Sequence, residues 1–187
     1  MSITYTGTDL IGQDDLTASP WFHANVTIAP AGSTAGPGGF AAYSATVDSD
    51  GGSRNLNGNN RTVTTVPHYC FVWIKAGTVD SADVGVLAGS WGVTAAQLVY
   101  GPGSVAVASS RCTISGLSSS VWSLARYRTE IGSTEADYLM YPNAVTGQSA
   151  GDSVLLGPQR MSTVASSPAW SIRRVMQMIH SRRSRGM

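Results

Sequence analysis

The chain has 187 residues, about one domain's worth. Only 12% of them are charged, about half the usual share, and no apolar run reaches the roughly 18 residues of a membrane span, so no membrane partner is expected. The net charge of +1 hides five arginines and no acid in residues 171–187, against seven cations and eleven acids elsewhere; a body with a single lysine, Lys75, is poorly equipped to track a nucleic-acid backbone.

The first residues, Met1-Ser2-Ile3-Thr4, lack the basic and apolar regions of a signal peptide. Residues 1–20 are polar and turn at Ser19-Pro20. Phe22, Ala24, Val26 and Ile28 then alternate with His23, Asn25 and Thr27, which predicts one half-buried strand ending at Pro30. The run PAGSTAGPGG, residues 30–39, is a loop, and Phe40 to Val47 is the next strand. Residues 48–60, DSDGGSRNLNGNN, read as a second polar loop. Arg61 to Lys75 has strand character on both sides of Pro67, which should sit at a strand start, edge or bulge.

Shorter strands are expected at Val84–Leu87, Ala95–Tyr100, Val105–Ala108, Arg111–Ser115, Val121–Ile131, Tyr138–Tyr141 and Ser153–Leu156. Within Val121–Ile131, Trp122, Leu124 and Tyr127 are expected to face away from Ser123 and Arg126. Many short strands with turn signals between them indicate an all-β antiparallel sandwich or barrel over residues 1–167. A chain of this size can bury its core without disulfides or metal.

Residues 168–187 form a distinct tail. Pro168 closes the β region, Ser171 can cap a helix, and Ile172, Val175, Met176 and Ile179 recur at helical spacing. Arg182, Arg183 and Arg185 would complement the helix dipole at its C-terminal end. A lone helix so short is marginal in water, so it is expected to dock. Phosphate contact, a membrane surface and a partner's groove are three uses of such a tail. Against an acidic body, docking is the natural one, with Ile172, Arg173, Arg174, Val175, Met176, Ile179, Arg182 and Arg183 as the contact residues.

Signals for catalysis and metal binding are weak. Cys70 and Cys112 sit in apolar runs and read as buried thiols, although spacing alone also admits a bridge between adjacent strands. His68 and Cys70, two apart on a strand, share a face, but one pair is not a metal site. Asp48-Ser49-Asp50-Gly51-Gly52 lacks the later glutamate of a calcium loop and reads as a solvated turn. Glu130, Glu135 and Asp137 lie near strand ends, but nothing pairs them as glycosidase carboxylates. No nucleophile elbow or phosphate-binding glycine loop is present. No enzyme activity and no cofactor are expected. Trp21, Trp73, Trp91, Trp122 and Trp170 read as core or interface residues, with a sugar-stacking platform as the alternative.

Four segments carry a family resemblance. Trp21-Phe22 followed by the loop Gly36-Pro37-Gly38-Gly39-Phe40, the run HYCFVWIKAG at residues 68–77, SSVWSLARYRTEI at 119–131, and ADYLMYPNAVTGQSAGDSVLLGPQ at 136–159 occur in one order. That ordered set resembles a jelly-roll module, similar in fold to carbohydrate-binding modules, of bacteriophage virion proteins. Such modules occur in tail fibres, tail spikes, head fibres and capsid decoration proteins. The resemblance covers about residues 10 to 160. It implies a structural or adhesive role in the virion, assembled in the host cytoplasm, with no catalytic residues.

The resemblance also implies major capsid protein or other virion proteins as partners, and a homo-oligomer, most commonly a trimer. A capsid decoration or cement protein is the expected function, and a carbohydrate-binding adhesin module, with a glycan as ligand, is the alternative. Two features depart from the family. Fibre proteins carry such modules inside much longer chains, and the basic tail lies outside the pattern.

Overall fold

The computed structural model describes residues 2–4, 14–18, 21–32, 36, 39–49, 55–62, 67–87, 93–108, 111–129, 135–142, 147, 149–163 and 171–173. Fourteen strands and no helix are present among them: β1 (Ser2–Thr4), β2 (Trp21–Ala24), β3 (Val26–Pro30), β4 (Tyr43–Val47), β5 (Asn55–Thr62), β6 (His68–Ala76), β7 (Ala82–Leu87), β8 (Val93–Tyr100), β9 (Ser104–Ala108), β10 (Arg111–Ser115), β11 (Ser123–Thr129), β12 (Glu135–Pro142), β13 (Ser153–Thr163) and β14 (Ser171–Arg173).

Two six-stranded antiparallel sheets result. Sheet I runs β2-β5-β12-β7-β10-β9 and sheet II runs β3-β4-β13-β6-β11-β8. Val84, Cys112 and Ile114 from sheet I and Cys70, Val72, Ile74, Ala125, Tyr127, Val154, Leu156 and Met161 from sheet II join one buried cluster, so the sheets form a sandwich. Tyr127 crosses the layer, its hydroxyl donating to the Gly85 carbonyl at 3.2 Å. Both cysteines are buried free thiols, as their apolar surroundings predict. Burial, with Asp83 nearby as a lesser cause, pushes the Cys112 thiol up to about 12.

Set aside the outer pairs β2–β3 and β8–β9, and two four-stranded sheets remain, β5-β12-β7-β10 facing β4-β13-β6-β11. Within these eight the chain crosses between sheets at every step except the one from β7 to β10, which are antiparallel neighbours. The consecutive strands β8 and β9, joined through Gly101-Pro102-Gly103, are inserted into that step, one added to each sheet.

Most expected strands form, with four differences. The alternation from Phe22 to Ile28 is not one strand. Asn25 takes the left-handed conformation (φ 51°), which the short amide side chain tolerates, and the break passes the chain from sheet I to sheet II. The expected polar loop 48–60 ends early, because residues 55–60 belong to β5. Its Asn and Gly residues are poor strand formers, but β2 and β12 flank it and supply its ladder. β13 continues past Leu156 to Thr163 through a register shift that accommodates Pro158. In β11, Leu124 and Arg126 oppose Trp73 and Phe71 on the outer face, while Ser123 shares the inner face with Ala125 and Tyr127. Strict strand alternation thus overrides the expected grouping of Leu124 with Tyr127. Pro67 precedes β6, as expected at a strand start.

The tail begins differently from expectation. Ser171–Arg173, read as the start of a helix, is β14, and pairs with β1 in the register Ser2↔Arg173, Ile3↔Ile172, Thr4↔Ser171. Backbone pairing with the chain's first residues stands where the first turn of a helix was expected. The pair also bridges the boundary expected at residue 168.

Candidate functional site

β6 is the strand around which sheet II is built. All its residues but Tyr69 are buried, so it is covered on both faces. Cys70, Val72 and Ile74 face the sandwich core; Phe71 and Trp73 point the other way into a second cluster with Ala42, Trp122 and Leu124. That cluster is roofed by Phe40, which lies between β3 and β4. The Phe40 ring lies 5.7 Å from Trp73 and meets Trp122 edge-on at 5.3 Å. Tyr100 closes the side, 6.0 Å from Trp73. Edge and tilted contacts of this kind add about 0.5–1.5 kcal/mol each beyond their burial. Gly157 makes the roof fit, since a Cβ there would strike both the Phe40 ring and the Trp73 Cβ.

Three of the tryptophans are thereby placed as core residues: Trp21, Trp73 and Trp122 are 7%, 0% and 6% exposed. Trp91 and Trp170 lie outside the described residues.

Further along the same outer face the roof ends and the chemistry changes. Strand alternation puts Arg126 and Arg128 on one side of β11, and Tyr69 lies opposite Arg128 on β6. The Arg126 guanidinium sits over the Tyr69 ring, 5.6 Å from its centroid. On the other flank, β8 sets Gln97 opposite Arg126 and Ala95 opposite Arg128. The short side chain of Ala95 leaves a cleft of about 180 Å³ lined by Tyr69, Gln97, Arg126 and Arg128. Stacking on Tyr69 orients the Arg126 fork, which favours planar, bidentate partners such as carboxylates.

Arg160 leaves β13 on this face too, opposite Phe71, and forms a two-pronged ion pair with Asp14, one prong Nη2 to Oδ2 at 2.9 Å. Lys75 lies on the same face with its ammonium 5.6 Å from the Trp122 ring. The body's acidic balance therefore conceals a cationic face on sheet II. On sheet I Arg111 is likewise matched by Asp83, 3.8 Å away, and Asp83 also accepts from the Thr113 hydroxyl.

The remaining expected residues fall as follows. His68 and Cys70 share the inner face and are both fully buried. His23 is half-buried, with Nε2 2.9 Å from the Leu16 carbonyl oxygen. Beside it, Asp15 accepts from the Thr17 hydroxyl and amide, which holds its carboxyl below the usual range. Burial, with Asp15 adjacent, raises Tyr43. Among the described residues no three His, Cys, Asp or Glu side chains converge as metal ligands. Glu130, residues 50–52 of the Asp48 turn, and the side chains of Glu135 and Asp137 lie outside the described residues.

Of the tail residues, the backbones of Ile172 and Arg173 stand in β14; Arg174, Val175, Met176, Ile179, Arg182 and Arg183 lie outside the described residues. Sequence reasoning missed the cleft. The available signal was Arg126-Ala125-Leu124 spacing carried one step further: Arg126 and Arg128, two apart in a strand, must share a face. Comparison of the sequence with protein-family models and with characterised proteins gives no match.

Proposed function

We propose that this chain is a virion structural protein, a capsid decoration or cement protein whose jelly-roll sandwich binds and stabilises the shell. The observation that carries this reading is strand order. The eight inner strands, β4 to β7 and β10 to β13, cross between sheets in the sequence that two nested Greek keys produce. Viral capsid and lectin domains use that double Greek key. The four segments that resemble phage virion modules fall largely on the strands and loops of this framework.

The placement of side chains supports a binding scaffold over a catalyst. Phe71 and Trp73 of sheet II are covered by Phe40 and its neighbours, whereas Tyr69, Arg126 and Arg128 line an open cleft. Major capsid protein or another virion protein would present carboxylates to this face. From Arg174 onward, Val175, Met176 and Ile179 keep one helical face, so a shortened amphipathic helix would leave the β1–β14 pair and dock beside it. Deleting residues 168–187 should abolish incorporation into particles, and R182A/R183A, which spares β14, should weaken it. Full occupancy by both variants would overturn the tail's part.

A second reading, a carbohydrate-binding adhesin of a tail or head fibre, is favoured by the cleft itself. The cleft offers Tyr69, Gln97 and the arginines as polar contacts for a sugar's hydroxyls. Glycan binding by the purified chain, lost in R126A and without affinity for shells, would select it. Tight binding to shells lacking the chain, with no glycan bound, selects the first reading.

A further inference from the structure

The sandwich has two lateral sides, and each ends in two strands. β2 and β3 close one side: β2 has four residues, β3 ends in Pro30, and Asn25 kinks the chain between them. Short strands, proline and kinks are the devices that stop an edge from pairing with another chain. β8 and β9 close the other side; β9 has five residues and the β8 ladder shifts register, but proline and charge are missing from both strands. Residues 93–108 contain no charged residue, and neither strand contains proline.

β9 is the more open of the two. It bonds to β10 on one side only, and among the described residues nothing pairs with its other edge. Val105 and Val107 oppose the core residues Ile114 and Cys112, so both point toward the sandwich interior. Val105 packs against that core, but Val107 hangs past its margin and is 43% exposed. An apolar β-branched side chain on an unprotected edge is a template for a further strand.

The sequence of β9 identifies what fits. Ser104-Val105-Ala106-Val107-Ala108 is nearly symmetric about Ala106. We propose that β9 pairs antiparallel with β9 of a second copy about a two-fold axis at Ala106, making sheet I continuous across a dimer. In that register each Val107 lies beside the Val105 of the other copy, on the core side. Ala106 meets Ala106, and Ser104 meets Ala108, on the outer side. Two β-branched pairs are gained, and no charge is set against itself, as any charged residue near an isologous axis would be. A five-residue ladder buries less than the roughly 1,200 Å² of a standard interface, so association is reversible and concentration-dependent. This two-fold arrangement differs from the trimer expected of the resembling family, and does not depend on the virion reading.

Sedimentation of the full chain over a wide concentration range tests the proposal. Wild type should pass from monomer to dimer. V107K places two cations beside each other's Val105 and protects the edge; it should remain monomeric with an unchanged circular dichroism spectrum. A106C should form a disulfide-linked dimer under mild oxidation, because directly opposed strand residues lie within disulfide range. A108C, opposed to Ser104, should not crosslink to itself. A wild-type chain that stays monomeric, a trimer, a dimer unaffected by V107K, or equal crosslinking of A106C and A108C would each overturn it.

Discussion

The outer face of sheet II has two ends that differ in nearly every physical respect. At one end Phe71, Trp73, Trp122 and Leu124 are sealed beneath Phe40. At the other, Tyr69, Gln97, Arg126 and Arg128 line an open cleft. The same strands, β6 and β11, serve both. The aromatic end is closed over by the chain itself, whereas the arginine end opens to solvent. An open, arginine-lined surface therefore lies directly beside a buried aromatic cluster. Stacking ligands on tryptophan is excluded at Trp73 and Trp122, since their faces are already covered.

That contrast can be broken by mutation. Trp73→Ala opens a cavity where two aromatic rings and Gly157 converge, and should destabilise the chain by about 3–5 kcal/mol in denaturant unfolding. Gly157→Ala overpacks the same end and should cost about 1–3 kcal/mol. In a Phe40→Ala background the Gly157→Ala cost should shrink, because the ring it strikes is gone; equal costs in both backgrounds would refute the proposed clash.

Alkaline titration reaches the dry core between the sheets. The Cys112 thiol is raised to about 12 in the fold, so it stays neutral where the unfolded chain ionises. Its stabilising effect is complete below about pH 8.5 and is lost as pH rises from there toward the folded value, by up to about 1.4 kcal/mol per pH unit. Cys112→Ala should flatten that slope. The smallest stability effect belongs to the arginine end: R126A/R128A should change unfolding free energy by about 1 kcal/mol or less while sharply weakening partner binding.

Legibility followed the physics of each element. β8, β10 and β11 were readable because one face of each is committed to the core, and β6, covered on both faces, because it is a run of aromatic and β-branched residues. β5 was not, because Asn-rich strands gain their stability from flanking ladders, which leave no mark on local composition. The crossing at Asn25 was hidden because side-chain alternation continues through it although the sheet changes. β14 was hidden because a three-residue segment at helical spacing also pairs with residues at the far end of the chain. The cleft needed the register itself. Only the pairing of β11 with β6 and β8 shows that Tyr69 and Gln97, distant in sequence, flank Arg126 and Arg128.

Electron microscopy of the assembled particle tests the central claim most directly. The account predicts ordered density for this chain on the outer shell, repeating with the particle's symmetry, with the arginine end of sheet II against acidic residues of the shell protein. Particles that contain no copy of the chain, or that hold it with this face turned to solvent, would contradict it.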